Sequence, residues 1–242
     1  LDKTDIVVVS QETISEWERL LEDWDTEETY SGKIAFHNKA LKMQNTIPIP
    51  QPLYYKYDNL ANRARVAQAK INDYENTLDD AFNKIHAGSE KSKLNLLAWG
   101  AFILKEQLSS MEMENTKWTP AQIQTVQENL ASARLKTQQM FPNWYTRQTV
   151  RGIENLGEFK RKMFSVGRNL TSLGLDEEQK LLADHVEEVE SNVRLIEELK
   201  QTASNIKQMV DHSIINDSTT METLSSWLEQ VQVFARDRKS VV

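Results

Sequence analysis

Between Leu53 and Ile85, apolar or small residues recur at Leu53, Tyr57, Leu60, Ala64, Ala67, Ile71, Tyr74, Leu78, Ala81 and Ile85. Every step is three or four residues, the spacing that lines one helix face and, when sustained, a coiled-coil seam. Polar residues such as Asp58, Asn62, Arg63, Gln68, Asn72 and Glu75 fill most positions between. A long amphipathic helix is predicted here. It starts after Ile47-Pro48-Ile49-Pro50-Gln51-Pro52, because a residue preceding proline is pushed out of the helical region. Gly88 is the expected stop, as the residue just past the last turn.

The same alternation recurs along the chain. Leu94, Leu97, Ala101, Leu104, Leu108 and Met111 predict a second helix. Thr119 followed by Pro120 reads as an N-cap with proline at the first helical position. It opens a seam of Ile123, Val126, Leu130, Ala133, Thr137 and Met140, which Pro142 is expected to interrupt. Ile153 to Leu173 and Leu182 to Val210 carry two further helices, the latter capped by Asp176. A last helix holds Met221, Leu224, Trp227 and Phe234. Upstream, Ser10 can cap a helix with Ile14, Trp17, Leu21 and Trp24 that runs toward Asn45, weakened in its middle by Gly32. Ile6-Val7-Val8-Val9 is the sole strand candidate and is too short to build a sheet. The fold class is therefore all-α.

Composition agrees with long, thinly cored helices. Hydrophobic residues are 39% of the 242 and charged residues 27%, while 7 Gly and 5 Pro are too few for a turn-rich β protein. The absence of Cys excludes disulfides, thiolate metal sites and a cysteine nucleophile. A net charge of −7 argues against nonspecific binding to nucleic acid or anionic membranes. No apolar run reaches the roughly 18 residues of a membrane-spanning helix, and Leu1 to Val9 lacks the basic start of a signal peptide. The first residue is not Met, so a segment of a longer protein is expected.

Three helices per unit, with a tryptophan on the first, make the chain resemble a divergent spectrin-repeat array. Trp17 lies in Ile14-Ser15-Glu16-Trp17 and Trp227 in Leu224-Ser225-Ser226-Trp227, two repeat periods apart. The resemblance implies elongated tandem three-helix bundles with coiled-coil-type packing: one repeat over 10–116, a second over 117–215, and an extra helix at 216–242. It also implies that Trp99 is the matching core aromatic on the third helix, with Trp118 the nearest tryptophan for the second unit. Nesprin-type nuclear-envelope linkers and plakin-like cytolinkers carry divergent repeats of this kind. The function so implied is a structural spacer and protein-docking module of a cytoskeletal linker, cytoplasmic and at the cytoplasmic face of the nuclear envelope. It would be a monomeric rod, reaching membrane only through other parts of its parent chain. A membrane-curving BAR-type dimer and a phosphopeptide-binding helical adaptor are the alternatives.

Candidate chemistry is sparse. His37, His86, His185 and His212 fall on separate predicted segments, without the paired spacing of a metal site. No phosphate-cradling glycine loop or nucleophile elbow occurs. No catalytic residue, metal ligand or cofactor is expected, and the chain is read as a non-enzyme. Charge, by contrast, is segregated. Acids crowd Glu16 to Glu28 and again Asp176 to Glu198, whereas Arg134 to Arg168 is basic, with Arg147, Arg151 and the run Lys160-Arg161-Lys162. Neighbouring helices of opposite charge would fix register; the lesser reading is a basic surface that receives an acidic partner. Leu21-Glu22-Asp23-Trp24-Asp25 resembles the tryptophan-acidic cargo motif read by kinesin light chains, with the aliphatic residue one position early. Trp24 also lies a heptad after Trp17, where a core residue belongs. Partners are thus expected to be proteins, cytoskeletal or motor components, with no nucleic acid.

Overall fold

The structure is a computed structural model that describes residues 10–150, 153–211 and 217–237. Ile6 to Val9, Arg151 and His212 lie outside the described residues. Every regular element among those described is helical: α1 (Gln11–Thr26), α2 (Tyr30–Gln44), α3 (Tyr54–Glu90), α4 (Leu94–Met113), α5 (Pro120–Tyr145), α6 (Leu156–Ser172), α7 (Asp176–Asp211) and α8 (Asp217–Asp237). Packing gathers them into two compact units, one ending at Met140 and one beginning at Phe141.

In unit one the stripe read from the sequence is the buried face of α3. Leu60, Ala64, Ala67, Ile71, Tyr74, Leu78 and Ala81 are all buried, facing α2 and α4. Two core clusters lie along this one helix. The first joins Trp17, Leu20, Leu21 and Trp24 of α1 to Ala40, Ile49, Leu60, Ala61 and Ala64. The second joins Ala67, Ile71, Tyr74, Leu78 and Ala81 to Leu104 and Met111 of α4, Trp118 and Val126. Ile123 and Leu130 of α5 pack against the second, so the helix expected to open a second repeat belongs to this core up to Met140. Trp118, just ahead of that helix, sits between Tyr30 (centroids 5.2 Å apart) and Tyr74 (5.1 Å).

Local chemistry explains the breaks. Ser10 caps α1 by accepting from Thr13 N–H. The helix expected to run to Asn45 stops at Thr26, because two side chains there bind backbone instead. The Glu27 carboxylate accepts from Thr29 N–H (2.9 Å) and its hydroxyl (2.7 Å), and Thr29 Oγ1 accepts from Gly32 N–H (3.0 Å) to cap α2. These bonds hold the Glu27 carboxyl below its ordinary pKa. At α5, Thr119 Oγ1 accepts from Gln122 N–H while Gln122 Oε1 accepts from Thr119 N–H, a complete capping box.

Gly88 does not stop α3, which continues to Glu90. Its hydrogen faces α4 so closely that a Cβ would stand 2.5 Å from the Leu97 nitrogen. Gly100 plays the reciprocal part, where a Cβ would stand 2.7 Å from the Ala81 carbonyl oxygen. The stop comes at Ser92, with φ 50°, where Lys93 N–H reaches back to Gly88 C=O in a Schellman closure. The α6–α7 corner makes the same closure with Gly174 (φ 69°), Leu175 N–H bonding Leu170 C=O. Since a side chain strains that backbone, Ser92→Gly is expected to stabilise unit one by about 0.5–1 kcal/mol, read as a shifted denaturation midpoint with unchanged slope.

Two further expectations are corrected. Pro142 lies within α5, which runs on to Tyr145; Phe141 and Trp144, both buried, hold that turn despite the lost N–H. Trp99 is no core partner: it is 48% exposed, with the Lys84 ammonium 4.4 Å from its ring centre. Two residues beyond Leu97, it falls on the far side of the helix from the seam. Unit two packs α6 on α7 and α7 on α8. Phe159, Met163, Val166 and Leu170 of α6 and Leu182 and Val193 of α7 are buried, and His185 bonds the Gln148 carbonyl oxygen (2.9 Å).

Candidate docking groove

The acidic stretch on α1 offers only its polar half to solvent. Glu22, Asp23 and Asp25 are exposed, whereas Leu21 and Trp24 are fully buried. Trp24 stacks on His37 (5.6 Å, 23°) and meets Tyr57 edge-on (6.0 Å). Burial pushes the His37 pKa down, with the Arg65 charge adding to it, so the ring against Trp24 favours the neutral form. Asp25 pairs with Arg63 of α3 at 2.8 Å. An extended cargo peptide would require this segment to leave the helix, since residues up to Thr26 are helical.

The basic residues are distributed differently. Arg147 is exposed in the turn after α5, and Arg151 lies outside the described residues. Lys160 crosses to Glu190 of α7 at 3.0 Å, and Lys162 points the other way, donating to Gln148 Oε1 at 3.2 Å. Lys160 and Arg161 border an open groove of about 750 Å³ between α6 and α7. Its floor is Met163, Gly167, Leu182, Ala183 and Val186, and Phe164, Arg168 and Glu187 also line it. Phe164 is 73% exposed.

Sequence reasoning missed Phe164 and Arg168. The missed signal is that Arg161, Phe164 and Arg168 stand three and four apart. They form a second stripe on α6, beside the Phe159–Met163–Val166–Leu170 seam. A smaller recess of about 380 Å³ lies between Ile153, Leu156 and Val193, bordered by Glu190, Arg194, Glu197 and Glu198.

Among the described residues no group of three or more His, Asp or Glu could hold a metal ion. None of the described helices is long and apolar enough to cross a membrane. Fold and surface together define an all-helical bundle protein with an open apolar groove. No protein-family model, curated protein or solved structure matches the chain.

Proposed function

We propose that the chain is a structural spacer and protein-docking module of a cytoskeletal linker, built from divergent spectrin-like bundles. It acts in the cytoplasm, at the cytoplasmic face of the nuclear envelope, holding cytoskeletal or motor partners without catalysing a reaction. The observation that carries the docking half is the α6–α7 groove, where a large aromatic lies open between two arginines. Burying Phe164 on a partner would recover hydrophobic energy that the isolated chain forgoes. Support for the spacer half comes from the 37-residue helix α3, whose apolar stripe is taken up by α2 and α4 of the same unit. A rod of such bundles carries partner sites at set distances.

A BAR-type dimer draws on one feature, the basic stripe of α6. Against it stands the acidic composition of the facing helix, where Asp184, Glu187, Glu188 and Glu190 would repel an anionic membrane. Small-angle scattering with sedimentation separates the two. An elongated monomer at micromolar concentration is expected; a tight, curved dimer would move the assignment to the membrane-shaping class.

A further inference from the structure

We infer that the α6–α7 groove receives one amphipathic helix of a partner protein, with acidic residues two turns apart along one edge of its apolar face. The inference rests on the docking-module reading and names the chemistry of the partner. Arg161 and Arg168 are seven residues apart on α6, so they project from the same side about 10 Å apart, two helical turns. Phe164 stands between them, 73% exposed, above the apolar floor of the groove. Neither arginine has an ion-pair partner among the described residues; the nearby Lys160 is already held by Glu190.

This arrangement selects its occupant in three ways. A trough between two antiparallel helices accepts a third helix lengthwise, its apolar ridge at i, i+3 or i+4, and i+7 filling the space beside Phe164. Carboxylates at i and i+7 on one edge would meet the two guanidiniums, whose planar forks bind them bidentately. The opposite wall carries Glu187, so the occupant's other edge must be neutral or basic. That one-sidedness disfavours an anionic lipid surface, which would press negative charge on both walls.

The test is a display selection from a helical peptide library, randomised at surface positions and run against the full chain. Enriched peptides are then titrated by fluorescence anisotropy. The expected result is enrichment of peptides with an aliphatic stripe and acids seven residues apart on one edge. Affinity should fall at least tenfold on Phe164→Glu and on the Arg161→Glu, Arg168→Glu pair, with the melting temperature unchanged because all three side chains are exposed. It should also fall with added salt. No enrichment, enrichment without acidic bias, or binding indifferent to Phe164→Glu would each overturn the inference. So would a dimer of the chain that Phe164→Glu dissociates, since the groove would then belong to a second copy. So would vesicles containing phosphatidylserine that bind through Arg161 and Arg168. The spacer reading is judged separately by scattering, and an elongated monomer with an unselective groove would leave it standing alone.

Discussion

Trp24→Ala is expected to lower the stability of unit one by about 3–5 kcal/mol, the loss typical of removing a large aromatic from a packed core. The indole is fully buried, stacked on His37 and edge-on to Tyr57, with Leu20, Leu21 and Leu60 in the same cluster. Its Nε1–H has no acceptor among the described residues, so the loss comes from packing rather than from a hydrogen bond. Trp24→Phe should therefore cost far less, keeping most of the ring contacts and removing a buried donor. Chemical denaturation of both variants checks this. Binding to a kinesin light chain, measured on the same Trp24→Ala protein, separates core from cargo motif. Lost binding with an unchanged denaturation midpoint would mean that residues 23–28 leave the helix and that Trp24 serves a partner instead.

Leu104→Asp is expected to be at least as damaging, roughly 3–5 kcal/mol, enough to unfold unit one if its margin is ordinary. Leu104 is fully buried on α4 in the cluster that holds Ile71, Tyr74, Leu78 and Trp118. A carboxylate there would sit among the apolar side chains of that cluster, and the close approach of α3 and α4 at Gly88 and Gly100 leaves little room for water to follow it. Circular dichroism during urea titration gives the readout. An unchanged curve would show that this face of α4 is not packed.

What the sequence made legible was each helix's own buried face. The three-and-four alternation from Leu60 to Ala81 emerged as the buried stripe of α3, because that spacing is a property of a single helix. Thr119-Pro120 likewise announces the start of α5, where Gln122 completes the cap from the other side. Errors arose where a residue can serve two purposes. Glycine suits a C-terminal turn, which makes Gly88 look like a stop, but its lack of a side chain serves the approach to Leu97, and Ser92 takes the strained position. The spectrin resemblance implies an inward Trp99, although the local period points it away from Leu97 and Ala101. The groove was illegible for a different reason. Periodicity shows that α6 and α7 each have an apolar face, but not that part of that surface stays uncovered.

One consequence follows from the way α3 runs unbroken past both core clusters of unit one. Neither cluster can melt by itself without stripping half of a 37-residue helix of its packing. The stranded half, under 20 residues, is marginal as an isolated helix in water. Loss of the Trp17–Trp24 cluster therefore propagates to the Trp118 cluster along the backbone of α3, and along α2, which gives Ala40 to the first cluster and Tyr30 to the second. Cooperativity in this unit is carried by a covalent beam, and a pull on either end is felt by both cores at once.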